Sequence, residues 1–291
     1  MKKVHGLLIL LVSYILAFSL GLLVTHLLIN KLPLLLAVFI GNVAATILIW
    51  FVGVLFHTAS TYDPYWSVQT VLIGISLLIH YNNWNVGNIL FLLCLSFWAF
   101  RLTYNFLYTF NDISYIDWRY KMLKAKTGRC FQLVNLLGIC LVPTIIVYSA
   151  SIPMFLYIIN NRQFEFYNLI GLIIMIIGTI LELISDKNMA RFKNIRKNNS
   201  EIINIGLWKY SRHPNYLGEI LFWYGVAFVF IISPSFSLNY WYAILGTLLN
   251  TLLFLFISIP LAENHLKAYK SGFEQYKKKT RMLLPIKKHD K

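Results

Sequence analysis

Apolar residues fill this chain in long blocks, and polar residues gather in short clusters between them. The blocks cover 4–29, 33–56, 65–80, 86–110, 131–159, 166–184, 216–232 and 240–261. Each block holds a helix of about 17–25 residues, the length a bilayer requires. The third and seventh are short or borrow polar flanking residues. The pattern predicts an all-α, polytopic membrane helix bundle of about eight transmembrane helices. The first block follows Met1-Lys2-Lys3 but is too long for a signal peptide and ends in no small-x-small site, so it reads as an uncleaved span.

Composition agrees with this pattern. The 291 residues are 58% hydrophobic and 13% charged, against about 45–50% and about 25% in soluble domains. Positive charge is unevenly placed. All but Lys31, Arg101 and Arg162 of the 26 Lys and Arg residues fall at the N-terminus or in 111–130, 185–218 and 263–291. Eight spans put those segments on one side, which the positive-inside rule makes the cytoplasm, with both termini there. The loops at 81–85 and 233–239 carry no Lys or Arg. The net charge of +15 therefore reads as topology signal and contact with anionic lipid. A nucleic-acid role does not suit so apolar a chain, and no protein partner is evident. Cys94, Cys130 and Cys140 have no metal-ligand spacing, and HExxH, P-loop and GxGxxG patterns are absent. A metal site is not expected.

No internal repeat is visible. The chain reads as one membrane domain, 1–291, divided by polarity. Residues 1–110 form an apolar wall whose only acid is Asp63, and 111–291 carry ten of the eleven acids.

Six clusters are candidates for chemistry. Tyr210-Ser211-Arg212-His213-Pro214-Asn215-Tyr216-Leu217-Gly218-Glu219 opens the seventh block. Pro214 suits the first turn of a helix, which sets Arg212 and His213 at its positive end, where an anion is favoured. Asn215, Glu219 and Trp223 follow at four-residue intervals on one face. Glu182 and Asp186 share a face one span earlier, with Arg191 and Lys193 beyond; ribose hydroxyls and a local salt-bridge network are competing uses. Trp98, Arg101 and Asn105 share a face in the fourth span beside Tyr104. Arg101 needs an anion there or must snorkel to the interface. Asp117-Trp118-Arg119-Tyr120 lies in the loop after that span, where an Asp117–Arg119 surface pair is the simplest reading. Tyr62-Asp63-Pro64-Tyr65-Trp66 sits at a boundary, and Asp63 either caps the helix at Pro64 or acts chemically. Glu263-Asn264-His265, Tyr269, Phe273, Tyr276 and Pro285 mark a basic, aromatic tail, which either lies at the membrane surface or folds over a cofactor.

In this order the segments resemble the steroid 5α-reductase-like superfamily, specifically its broad bacterial branch with a 3-oxo-5α-steroid 4-dehydrogenase-like C-terminal domain. The resemblance runs from about Asp63 and is strongest between Glu182 and Pro285, above all over Gly206-Leu207-Trp208-Lys209-Tyr210-Ser211-Arg212-His213-Pro214-Asn215-Tyr216-Leu217-Gly218-Glu219. It implies an NADPH-dependent membrane reductase of a C=C bond conjugated to a carbonyl in a lipid-, steroid- or isoprenoid-like substrate. It also implies a bacterial cytoplasmic membrane, a cofactor site facing the cytoplasm, and Asp186, Tyr210, Arg212, His213, Asn215, Glu219 and Tyr269 around the cofactor. With the clusters above, Arg101, Asn105, Asp117, Arg119, Glu182, Lys193, Tyr216 and His265 join that candidate set, and Trp98 and Trp223 are candidate substrate contacts. The family's substrate-holding glutamate has no counterpart, since the first two spans contain no acid, and Trp98 stands where its tyrosine is expected. Asp63, Tyr62, Tyr65 or Tyr104 then stands in as proton donor. Arg212-His213-Pro214-Asn215-Tyr216-Leu217-Gly218 also satisfies the Arg-His-Pro-x-Tyr-x-Gly run of the isoprenylcysteine carboxyl methyltransferases, which bind S-adenosylmethionine. A non-enzymatic lipid-binding or transport protein is the third class.

Overall fold

Prolines begin several of the helices. Pro33, Pro64 and His213-Pro214 immediately precede or open Leu34–Leu55 (α2), Tyr65–Tyr81 (α3) and Pro214–Ile231 (α9), because a first-turn residue needs no N–H partner. The computed structural model describes residues 2–232 and 236–286. Part of the 233–239 connection, Ser233 to Ser235, and the terminal basic residues Lys287, Lys288 and Lys291 lie outside the described residues.

The described residues form an all-helical chain with no strand. In order come Lys2–Leu28 (α1), α2, α3, Val86–Thr109 (α4), Trp118–Thr127 (α5), Phe131–Val134 (α6), Val142–Ile159 (α7), Asn168–Ile195 (α8), α9, Leu245–Leu253 (α10), Ile259–Tyr269 (α11) and Phe273–Lys279 (α12). A π-helical stretch, Asn135–Leu141, joins α6 to α7, and another, Phe254–Ser258, joins α10 to α11. Among the described residues, seven continuous helical stretches are long and apolar enough to cross a membrane, and α3 is a shorter apolar helix. The protein is an integral multi-pass membrane protein.

Two readings of the sequence change here. The 111–130 segment is not all loop: Asp117 caps α5 by accepting from the Arg119 N–H at 2.9 Å, so Trp118, Arg119 and Tyr120 form its first turn. Asp63 does not cap α3, whose start has no side-chain cap.

The chain forms two compact units. One holds residues 1–84 and 95–149; the other holds 85–94 and 150–291. The polarity division near residue 110 does not coincide with them. In the first unit α1 and α2 pack through Gly21 and Gly41, where a Cβ on Gly21 would lie 3.1 Å from the Gly41 carbonyl oxygen. Tyr62 donates to or accepts from Thr144 Oγ1 at 2.7 Å, and the Tyr14 hydroxyl donates to the Thr61 carbonyl at 2.8 Å.

In the second unit α8 and α9 meet along two glycine pairs. A Cβ on Gly178 would lie 2.6 Å from the Gly218 carbonyl oxygen, and one on Gly225 would lie 2.7 Å from that of Gly171. Lipid supplies no hydrophobic drive between helices, so such close backbone approach carries much of the association. Asn168 Nδ2 donates to the Val229 carbonyl at 2.7 Å and ties one end of the pair.

Candidate functional site

In the second unit the site grows from the turn before α9. Gly206 takes φ +54 and begins a short 3-10 turn, Gly206–Lys209, whose Trp208 Nε1 donates to the Ser185 carbonyl of α8 at 3.0 Å. The chain then runs through Ser211-Arg212-His213 beside the returning tail. The Arg212 N–H donates to the Arg281 carbonyl at 2.9 Å and the His213 N–H to that of Met282 at 3.1 Å. From the tail, Tyr276 Oη donates to the Trp208 carbonyl at 2.5 Å.

Arg212 and His213 are 8% and 4% exposed, and their common partner is Glu263 of α11. Arg212 Nε lies 2.8 Å and His213 Nε2 3.2 Å from Glu263 Oε1, while Lys277 Nζ reaches Oε2 at 3.0 Å. Arg212 Nη1 also donates to the Thr280 and Lys277 carbonyls. Burial pushes the His213 imidazole below its ordinary range, against the opposing pull of Glu263. The guanidinium is thus committed to a carboxylate and to the tail, rather than standing open toward a phosphate.

On α9, Glu219 Oε1 accepts from Trp223 Nε1 at 2.8 Å, the four-residue contact that the spacing predicts. His213 stacks on Tyr216 at 5.3 Å with a 4° interplanar angle, and Tyr216 meets Phe254. Asn215 Oδ1 is buried without a partner. Glu182 is 1% exposed, and its Cγ fills the space that a Cβ on Gly218 would need, 2.5 Å away. Asp186 is half-buried and Lys193 exposed. His265 and Tyr269 rings lie 4.9 Å apart, and Lys270 beside them donates to the Asn199 and Glu201 carbonyls at 2.6 and 2.5 Å. A cavity of about 550 Å³ opens on this segment, lined by Asn204, Lys209, Tyr210, Gln275, Tyr276 and Lys279 among others.

In the first unit, Tyr120 Oη donates to Asp63 Oδ1, and Arg119 Nε pairs with Asp117 at 2.7 Å. Burial, partly offset by Arg119 and the Tyr120 hydrogen bond, pushes the Asp63 carboxyl up to about 6. Tyr65 is 2% exposed and its hydroxyl has no partner. Tyr104 is 57% exposed on α4 and stacks on Phe100. Trp98 is fully buried against Trp66, and Arg101 is 5% exposed, so it does not snorkel into solvent. Asn105 is half-buried.

The sequence reading named Glu263 only as part of the tail and assigned it no partner. The signal was present: an acid at the end of an apolar span needs a cation, and Arg212 is a buried guanidinium in the same need. Lys277, Thr280, Lys209 and Lys279 carried no comparable mark. Tyr120 was visible only as one member of its four-residue cluster.

An all-helical, multi-pass membrane chain with a buried Arg-His-Glu cluster at the mouth of a helix is the class that fold and site define. Residues 49–280 match the DUF1295 family, proteins of unknown function, and the chain belongs to that family. No curated protein and no solved structure matches it.

Proposed function

We propose that this protein is an NADPH-dependent membrane reductase of a hydrophobic substrate whose C=C bond is conjugated to a carbonyl. The observation that carries the reading is the segment before α9. Arg212 and His213 are fixed there by Glu263 and the tail, and the same segment forms a wall of the cavity bearing Lys209 and Lys279. The resemblance of 206–219 to the steroid 5α-reductase-like superfamily supplies the reaction class.

The residues suit the cofactor. Lys209 and Lys279 provide charge for phosphates, with Asn204, Tyr210 and Gln275 as further polar groups. When bound, NADPH supplies the hydride. Arg212 holds the tail against the start of α9 and so shapes the cavity rim. A reduction of this kind also consumes a proton. The concentration of Lys and Arg in 111–130, 185–218 and 263–291 supports a cytoplasmic placement of this face and of both termini.

Cofactor binding decides the matter. Full-length protein in lipid nanodiscs should be stabilised against heat by NADPH, saturably, and not by S-adenosylmethionine. Stabilisation by S-adenosylmethionine alone makes it a methyltransferase instead, and no response to either favours a non-enzymatic lipid protein.

A further inference from the structure

Cations gather on α5 with no acid left to pair with them. The first unit contains three acids, Asp63, Asp112 and Asp117, and each is engaged. Asp63 accepts from Tyr120, Asp112 accepts from the Ser114 N–H and hydroxyl, and Asp117 caps α5 and pairs with Arg119. No acid occurs between Asp117 and Glu165. Lys121, Lys124, Lys126 and Arg129 fall in that stretch, and all four are exposed. Among the described residues, none of the four pairs with a carboxylate.

The other face of the helix fixes their placement. Tyr120 and Phe131 are buried with Ala59 and Ile139, and Ile116 and Leu123 pack against them. Thr58 Oγ1 donates to the Tyr115 carbonyl at 2.6 Å, just ahead of the helix. One side of α5 is thereby docked on the bundle, and the cations stay outside it. Lys121 and Lys124, three apart, share a flank. Gly128 takes φ +53 and ends α5, and the 3-10 turn Gly128–Cys130 sets Arg129 just before Phe131. Phe131 begins the apolar part of the spanning stretch Trp118–Ile159. Lys124 Nζ lies 6.0 Å from the centroid of its ring. An ammonium over the first ring of a span stands at the level of the headgroups rather than out in bulk water.

We infer that α5 and the turn after it bind anionic phospholipid headgroups of the surrounding bilayer, with Lys121, Lys124, Lys126 and Arg129 as the cations. Lys and Arg clustered beside a span attract an anionic leaflet, each adding about fivefold to the affinity. Their N–H groups match the phosphate oxygens, which only accept. A choline headgroup brings its own cation and no net charge, so it gains little. A soluble acidic partner would have to displace the headgroups to reach the level of Phe131. The site belongs to one helix of the first unit and does not rest on the cofactor cavity, whose lining belongs to the second.

Cys130, exposed beside Arg129, is a natural reporter within the patch. Full-length Cys94→Ala protein, bearing bimane on Cys130, is placed in phosphatidylcholine vesicles and quenched by spin-labelled phosphatidylglycerol or spin-labelled phosphatidylcholine. Phosphatidylglycerol should quench with an apparent affinity about fivefold or more above that of phosphatidylcholine, and high salt should shrink the preference. Lys121→Gln combined with Lys124→Gln and Lys126→Gln should bring the two lipids close to equality. The same charge change on exposed residues of the second unit, Lys187→Gln with Arg191→Gln and Lys197→Gln, should leave the preference intact. Both sets alter exposed side chains, so neither should shift the thermal midpoint appreciably. Equal quenching in the parent protein overturns the inference and leaves the patch to a soluble acidic partner. An α5 variant that keeps its preference overturns it too, as does a second-unit variant that loses it, which would make the effect one of net charge. Free inorganic phosphate at matched ionic strength should not displace the lipid; displacement would make this a site for soluble phosphates instead.

Discussion

Arg212 Nε donates to Glu263 Oε1 at 2.8 Å, and both side chains are 9% exposed. Fifty-one positions separate them in sequence, yet together they join the mouth of α9 to α11, and Arg212 adds the tail through the Thr280 carbonyl. Breaking a buried pair leaves its partner charged and uncompensated, at a cost of about 3–5 kcal/mol. Arg212→Ala should therefore lower the thermal midpoint sharply and make the 277–281 stretch readily cleaved by trypsin. The paired change Arg212→Met with Glu263→Met should recover much of the loss, as replacing both charges does elsewhere. If the single variant keeps the parental midpoint, the pair does not hold the tail.

The Asp63 carboxyl sits near 6 because burial disfavours its charge. Its ordinary value is about 3.9. The folded form thus holds the proton more tightly than the unfolded chain, and its stabilising contribution is present below about pH 4. It is lost as pH rises to about 6 and is flat beyond, up to roughly 3 kcal/mol in all. Asp63→Asn should remove that slope from the difference between variant and wild type. Infrared titration of the protonated carboxyl band should give a midpoint near 6 that vanishes in the variant.

Gly218 faces the Gly178 carbonyl and the Glu182 side chain, with room for neither a Cβ nor a shift. Gly218→Ala should cost about 1–3 kcal/mol as overpacking between backbones. Gly138 has nothing within 4 Å of an added Cβ, so Gly138→Ala should stay within about 0.5 kcal/mol. Thermal unfolding of both in the same detergent separates a close helix contact from a general intolerance of substitution.

The proposed cofactor cavity bears Lys209 and Lys279. Lys209→Ala and Lys279→Ala should each weaken NADPH binding about fivefold to tenfold, with the loss shrinking at high salt. Fluorescence titration at two ionic strengths reads both effects. Unchanged affinity in both variants would remove the phosphates from this cavity.

Cys130 is exposed between α5 and α6, whereas Cys140 is buried. A membrane-impermeant maleimide should label Cys130 in inside-out vesicles and leave it untouched in right-side-out ones. The reverse result inverts the proposed orientation.

What could be read from the sequence follows the range of each interaction. The helix at Pro214 and the Glu219–Trp223 contact depend on residues at most four apart, so spacing alone located them. The apolar blocks likewise marked the spans. Asp63 misled, because its real partner, Tyr120, lies 57 positions away and outcompetes the local cap. Trp118 to Tyr120 looked like loop because they are polar and aromatic, yet the Asp117 cap was enough to start a helix. The fold of the tail onto Ser211, Arg212 and His213 rests in part on backbone pairs, which leave no trace in side-chain pattern.

The distance between Arg212 and Glu263 also sets an order of events during synthesis. Arg212 leaves the ribosome before the acid that neutralises it, and at about 5–20 residues per second the wait is several seconds. Thr280 and the tail carbonyls emerge later still. Until then the Arg212 guanidinium lacks its counter-ion, and a chain that stops short of residue 263 never acquires it. The buried charge at the mouth of α9 is thus neutralised only in a chain synthesised as far as α11.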